Sequence, residues 1–277
     1  MLGRLRVLAG LVALAIFPAL ACAETVTATL DTLTPMVFPT VGLTYDGGVH
    51  VTTVTGGAGQ IGWRNGSAVP TDSVFSGNFI TYCIDLLQDI NFGHTYTYDV
   101  ANLANGAPKQ GAYLNNTFIS PMGLARAGDI QRLYDLHFAD TATSDVNKTA
   151  FQFAIWNLIY DESGVANGPP DASVSSGAGN FYVVNIDSGY SSAIGIANGY
   201  LNDVLNSNVA ATHNYTIEAL LGENGAQDQV FAAPGSTTAP PFHESAAPLP
   251  QPIFGGLALL GFCVAMRWKN RRMPSSI

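Results

Sequence analysis

The chain has 277 residues, 47% of them apolar and 11% charged, with a formal net charge of −9. That is enough apolar material for one sizeable core or two small ones. Between residues 24 and 252 the only cations are Arg64, Lys109, Arg126, Arg132 and Lys148; with all twenty acidic residues in the same stretch, its net charge is −15. Such a body lacks the basic footprint that nucleic acid or an anionic membrane surface requires, which argues against both as partners.

The N-terminus carries Arg4 and Arg6, an apolar run from Val7 to Leu20, and Ala21-Cys22-Ala23 before Glu24. A basic start, an apolar stretch too short to span a bilayer and a small-x-small cleavage site read as a signal peptide over residues 1–23, hence export across the inner membrane. A lipoprotein site at Cys22 is the rival, but Ala19 stands where Leu is usual.

Residues 24–232 read as a mainly β domain. Alternating apolar and β-branched residues predict strands at Thr25–Leu30, Val49–Val54, Phe79–Leu86, Thr95–Val100, Tyr215–Leu220 and Gln229–Ala232. Asp46-Gly47-Gly48 and Asn65-Gly66 read as turns. The middle, about 124–206, has helical spacing instead. Leu124, Ile130, Leu133, Tyr134 and His137 share one face of a first helix, Leu124–Phe138. Asp145 caps a second, with Phe151, Ala154, Ile155, Leu158 and Ile159 at helical intervals, and Ser191–Leu205 forms a third with Ile194, Ala197, Leu201 and Val204 on one side. Strands, then helices, then strands again predict a β-sandwich or barrel with an inserted helical subdomain. Residues 233–252 read as a Pro/Ser/Thr linker.

The chemistry centres on Cys83. The other two cysteines, Cys22 and Cys263, lie in the end segments, so the exported body has a thiol with no internal disulfide partner. Such a thiol is buried, paired between molecules or chemically used. Strand alternation puts Ile80, Tyr82, Ile84 and Leu86 on one face and Phe79, Thr81, Cys83 and Asp85 on the other, so the thiol lies off the more apolar side. Burial as a small hydrophobe is the ordinary fate of a free cysteine. On the second helix, Gln152 shares a side with Lys148, Ile155, Trp156 and Ile159, where a carboxamide needs hydrogen-bond partners or another chemical resolution.

Two short motifs, Tyr82-Cys83-Ile84 and Phe151-Gln152-Phe153-Ala154-Ile155-Trp156, resemble the signature of bacterial surface thioester domains. The resemblance spans roughly Val51 to Ala232 and departs from the usual pattern at Phe151, where Thr commonly precedes the Gln. It implies a thioester-domain-like fold in which the Cys83 sulfur and the Gln152 side-chain carbonyl are joined. Tyr82, Phe151, Phe153 and Trp156 would wall the bond off from water. The implied partner is an amine- or hydroxyl-bearing polymer or protein, captured once rather than turned over, so the chain is not expected to be an enzyme. No cofactor is implied.

Behind the linker, Pro248-Leu249-Pro250-Gln251-Pro252 precedes an apolar segment and then Arg267, Lys269, Arg271 and Arg272, the last two units occupying residues 253–272. A plain tail anchor is the simple interpretation. The pattern also resembles the PEP-CTERM class of sorting signals, with Gln251 replacing the usual Glu and Pro248-Leu249-Pro250 similar to the Val-Pro-Leu-Pro-Ala variant. That resemblance implies an exosortase-like protease as partner and a cell-surface, outer-membrane or matrix location, with membrane contact only through the C-terminal helix. Two alternatives stand beside the thioester. One is a cysteine hydrolase with His94, His137 or His213 as base, which no motif around Cys83 supports. The other is a non-covalent matrix protein of a biofilm in which Cys83 and Gln152 merely pack. The histidines lack zinc spacing, and Asp85/Asp89 and Asp161/Glu162 match no calcium loop and read as solvated carboxylates.

Overall fold

The computed structural model describes residues 24–45, 50–69, 73–107, 121–161, 173–175, 180–206 and 212–234. The signal peptide, the sorting motif and the C-terminal segment 253–272 lie outside the described residues. Among the described residues, nine strands and three α-helices follow in chain order: β1 (Thr25–Thr34), β2 (Thr40–Tyr45), β3 (His50–Thr55), β4 (Gln60–Val69), β5 (Gly77–Cys83), β6 (Thr95–Asn102), α1 (Gly123–His137), α2 (Asp145–Tyr160), β7 (Phe181–Asn185), α3 (Ser192–Asn206), β8 (Tyr215–Gly222) and β9 (Gln229–Pro234).

Six strands close an antiparallel barrel in the order β1-β4-β5-β9-β8-β6, and β3-β2-β7 form a second sheet. The fold is thus mainly β, a barrel rather than a sandwich, with the helices and β7 inserted between β6 and β8. Closure removes the sheet edges, and side chains fill the interior. Cross-strand partners share a face, so the pairs Val26↔Tyr98, Trp63↔Phe79, Thr81↔Phe231 and Cys83↔Gln229 all point inward. At the centre Trp63 Nε1 donates to Thr81 Oγ1 at 2.8 Å, and Thr81 Oγ1 donates to Gln229 Oε1 at 3.2 Å. Phe79 and Tyr98 flank the indole at 6.2 and 5.4 Å. Outside, Thr27/Thr97 and Thr29/Thr95 pair across β1 and β6.

The helices cover the opposite face of β5. Tyr82 meets Phe151 at 5.0 Å and Phe138 at 6.5 Å, and Tyr134 packs edge-on to Phe151 at 5.0 Å. Every residue of α2 from Thr149 to Ile159 is buried. A helix apolar all round is a central element, packed on several sides; α1, α3, β4, β5 and β7 all touch it.

Several expectations need correction. Strands β2, β4 and β7 are not among the expected ones: β2 alternates but is short, β4 loses its alternation at Asn65-Gly66, and β7 carries the adjacent apolar pair Val183-Val184. Asn65-Gly66 is no turn: it lies inside β4 at a register shift between Trp63 and Gly66, where a Cβ on Gly66 would enter the Phe75 carbonyl. β5 stops at Cys83 rather than Leu86, because Leu87 N–H turns back to Asp85 Oδ1 at 2.9 Å. The Cys83 face of β5 is the fully buried one, and Ile80 on the other face is 40% exposed. Ser144, not Asp145, caps α2, its hydroxyl accepting from Asn147 N–H at 3.1 Å. Leu124 is 80% exposed and leaves the predicted face of α1. Asp46-Gly47-Gly48 lies outside the described residues.

Two outcomes follow from the packing. A Cβ at Gly222 would lie inside the van der Waals shell of the Ala226 carbonyl, which is backbone and cannot step aside cheaply. Gly222→Ala should therefore lower stability by roughly 1–3 kcal/mol in urea denaturation. Burial also pushes the phenols of Tyr82, Tyr98, Tyr134 and Tyr160 above their ordinary value of 10.0. A raised folded-state value means that the stability these groups lend is complete below pH 10 and lost as pH climbs beyond it. The share of tyrosinate absorbance that these four phenols contribute should appear together with the loss of circular dichroism, not ahead of it.

Candidate functional site

The site forms where β5 outlasts its neighbour β4. The register Ile61↔Thr81, Gly62↔Ile80 and Trp63↔Phe79 would put Gly59 opposite Cys83 if it continued. Instead the chain before Gln60 turns toward the segment after β1: Ala58 N–H donates to Val37 O at 2.9 Å and Gly56 N–H to Pro39 O at 3.3 Å. On the other side, Ile84 N–H reaches Asp228 O at 3.1 Å. Antiparallel pairing turns successive residues' polar groups to alternate sides, so those of Cys83 face the gap left by β4.

Helix α2 fills that gap. Thr149 Oγ1 donates to Ala58 O at 3.1 Å and docks the helix start on the departing chain. Less than one turn later, Gln152 Oε1 accepts from Cys83 N–H at 2.9 Å, and Gln152 Nε2 donates to Cys83 O at 2.7 Å. The carboxamide thus takes the place of a strand residue. Both side chains are sealed, Gln152 at 0% and Cys83 at 1% exposure. The two residues that the sequence singled out are brought together by reciprocal hydrogen bonds.

Cys83 Sγ donates to Asp85 O at 3.2 Å. Burial pushes the thiol well above its ordinary range. The indole N–H of Trp156 works against that shift, while the charges of Asp85 and Asp228 add to it. Trp156 stands one turn beyond Gln152 and packs 6.2 Å from both Phe153 and Phe181. Gly56 lies against it, since a Cβ there would be 3.6 Å from the indole and 3.3 Å from Leu86. Tyr82 and Phe151 sit together on the helix-covered side of β5, where they clamp α2 to the barrel. Pro248, Leu249, Pro250, Gln251 and Pro252 lie outside the described residues.

Four residues at or beside the site went unremarked or misjudged in the sequence. Asp85 is no solvated carboxylate: it is fully buried, as is Asp161, whose Oδ1 accepts from Asn180 N–H at 2.5 Å. Asp228 is also fully buried and accepts from Gly222 N–H at 2.8 Å and Ala107 N–H at 3.2 Å. Tyr160 accepts from Leu86 N–H at 2.9 Å and fixes the turn after Cys83. Its signal was present, since Gln152, Trp156 and Tyr160 form one i, i+4, i+8 stripe. Nothing in the sequence marks Asp228 as buried.

Two of the alternative bases have ring partners elsewhere. His137 lies between Asp140 at 3.0 Å and Asp203 at 3.3 Å, stacked 4.1 Å from Tyr200. His94 stacks on Tyr96, while His213 is tied to Asp135 through its backbone N–H. Lys148 gives its ammonium to Asp145 at 2.8 Å, toward the helix start. Among the described residues no cluster of three or more His, Cys, Asp or Glu could hold a metal, and no helix is long and apolar enough to cross a membrane.

Chemically, the clasp sets a donor on the amide oxygen, an acceptor on the amide nitrogen and the acyl carbon beside the residue that carries the thiol. No protein-family model and no curated protein matches the chain. Three solved structures are similar to it. The N-terminal thioester domain of a surface protein from Clostridium perfringens is 11% identical over 75% of this chain and 97% of that one, with a TM-score of 0.38. The N-terminal domain of the Streptococcus pyogenes pilus tip adhesin Cpa is 10% identical over 72% and 95%, with a TM-score of 0.37. The N-terminal thioester domain of the fibronectin-binding protein SfbI from Streptococcus pyogenes is 12% identical over 75% and 98%, with a TM-score of 0.35. Likeness at this level adds no argument to the geometry above.

The clasp has a measurable energetic consequence. In a Cys83→Ala background, where no acyl bond can form, adding Gln152→Ala leaves a buried N–H and C=O without partners. It should cost roughly 2–6 kcal/mol in urea denaturation, since each of the two orphaned groups costs about 1–3 kcal/mol.

Proposed function

We propose that this chain is an exported surface or matrix protein that attaches covalently to its target through an internal thioester between Cys83 and Gln152. The observation that carries this reading is the pair of reciprocal hydrogen bonds holding the Gln152 carboxamide on the Cys83 backbone. Formation joins Sγ to the Gln152 Cδ and breaks the Cδ–N bond. The thiol proton goes to nitrogen, which leaves as ammonia. The Cys83 N–H polarises the carbonyl oxygen throughout, and the closed setting keeps water from the product.

Capture reverses the roles. A target amine or hydroxyl attacks Cδ, the C–S bond breaks, and the nucleophile's proton ends on sulfur. The target is then bound through an amide or ester to Gln152 and the thiol is free. Each molecule reacts once, which makes the chain a chemical hook rather than an enzyme. The N-terminal signal would export it, and an exosortase-type protease acting near Pro248–Pro252 would sort it to the surface or matrix, with membrane contact limited to the segment 253–272.

One observation favours a second reading. The same two hydrogen bonds give both the oxygen and the nitrogen of a buried amide a partner without any covalent bond, as a purely structural, non-covalent matrix protein would require. Intact mass spectrometry of the purified body separates the two. The thioester requires a mass one ammonia below that of the sequence, an unreactive thiol, and recovery of the thiol with gain of one methylamine at Gln152 after treatment. A full mass with a titratable thiol before treatment, under denaturing conditions, overturns it.

A further inference from the structure

One side of the clasp is covered by chain that carries almost no side chains. Gly56-Gly57-Ala58-Gly59 links β3 to β4. At Ala58 this link meets Thr149, just before Gln152 on α2, and at Gly56 it lies against Trp156, just after it. A Cβ on Gly56 would also be 3.3 Å from Leu86, which follows Cys83 in the chain. The link therefore runs past the turn of α2 that carries Gln152. Its far end is fixed, since a Cβ on Gly59 would lie 2.8 Å from the carbonyl oxygens of Thr34 and Pro35.

Gly56 and Gly57 are the thin part. Both are partly exposed, yet the Trp156 ring behind them is buried. Their missing side chains point to opposite sides, as in any extended segment. A Cβ on Gly56 would face inward, 3.6 and 3.8 Å from Trp156 Cη2 and Cζ2; one on Gly57 would face outward, 3.7 Å from Phe38 Cε1. A single bare backbone thus separates the two rings. Cζ2 neighbours the ring carbon that bears Nε1, so the N–H edge of the indole is the one turned to this stretch. That N–H is buried and has no hydrogen-bond partner among the described residues, a costly state that a lone pair arriving from outside would relieve. Outside, Phe38 is 52% exposed, and Met36 beside it is exposed as well.

We propose that the target's nucleophile enters between Phe38 and Trp156, through Gly56 and Gly57, and that Phe38 favours a primary amine carried on an apolar stem. The proposal rests on the thioester reading and adds to it the route and the selecting residue. The stem packs on Phe38 and Met36 while the neutral amine passes the glycines. An ammonium has no lone pair to offer the indole N–H and stays outside. Inside, the Trp156 N–H receives the amine's lone pair and holds the molecule one helical turn from Gln152, which makes Trp156 a positioning residue. The pair then leaves the indole and attacks Gln152 Cδ: the N–Cδ bond forms, the Cδ–S bond breaks, and the amine's proton ends on sulfur. Glycine is needed at 56 because any Cβ there would stand in this route.

The test follows thioester opening by methylamine and by benzylamine through mass, each rate divided by that of a small-molecule thioester with the same amine. We expect the wild-type chain to favour benzylamine by roughly 3- to 10-fold, the scale of one aromatic contact. Phe38→Ser should abolish that preference, while Leu124→Ser, at another exposed apolar residue on α1, should keep it. Gly56→Ala should slow both amines on the order of tenfold, the scale of one methyl group out of place in a packed site. A wall that only excludes water predicts the opposite sign, because disturbing it would speed opening by both amines. If Gly56→Ala does not fold, the surface variant Phe38→Ser still decides. Equal handling of the two amines by the wild type, a preference that survives Phe38→Ser, or opening of Gly56→Ala at the wild-type rate or faster overturns the route while leaving the thioester intact. A wild-type chain with no ammonia deficit overturns both.

Discussion

The Gln152 carboxamide on the Cys83 backbone is the contact from which the arrangement of this molecule is best understood. It exists because β4 leaves β5 one residue pair early, so that Cys83 presents a N–H and a C=O to a gap rather than to a strand. Buried groups of that kind must find partners. They find them in a side chain, at 2.9 and 2.7 Å, and that side chain belongs to the most deeply buried helix of the fold. The barrel and the helical insertion are therefore joined by polar contacts where a sheet would otherwise fray.

The rest of the fold holds this joint in register. Tyr82, Phe151, Phe138 and Tyr134 form one aromatic wall that clamps α2 to the outside of the barrel. Thr149 ties the start of α2 to Ala58, and Tyr160 ties its end to the turn after Cys83. Between these two ties, spaced along one helix face, Gln152 and Trp156 have little freedom to move. Inside the barrel, the Trp63–Thr81–Gln229 chain of hydrogen bonds fixes the neighbouring inward residues of β5 and β9. The thiol thus sits at the seam of two packed compartments, closed off from bulk water.

How much of this was legible in the sequence depends on which force decided each element. Cys83 and Gln152 stood out because a solitary thiol and an amide on an apolar helix face are chemically conspicuous, and the three helices followed from their spacing. The end of β5 at Cys83 was not legible: Ile84 and Leu86 continue the strand pattern, and only the Asp85 and Tyr160 contacts bend the chain. Asn65-Gly66 carries turn chemistry, yet flanking pairing absorbs it as a bulge within β4. The apolar faces of β5 were ranked the wrong way because alternation gives two faces but not which one a closed barrel encloses. Asp85 and Asp228 look like any acidic residue; in the fold Asp85 accepts from Leu87 N–H, and Asp228 from Gly222 N–H and from Ala107 N–H, far off in the chain.

The clasp also explains why geometry and reactivity are hard to separate here. An amide is inert toward a thiol in water, and burial makes Cys83 a weaker nucleophile still by disfavouring the thiolate. What can compensate is placement, since holding two groups in contact replaces an encounter between separate molecules and can offset a large part of a barrier. The two hydrogen bonds that make the buried Gln152 tolerable are the same ones that put its carbonyl on a donor and its carbon beside the sulfur. On the thioester proposal, folding and the approach to reaction are one event: whatever stabilises α2 against β5 also raises the effective concentration of the acyl group at the thiol. One alignment of oxygen and nitrogen on the Cys83 backbone thus answers to packing and to chemistry at once, and only the state of the acyl bond tells the two apart.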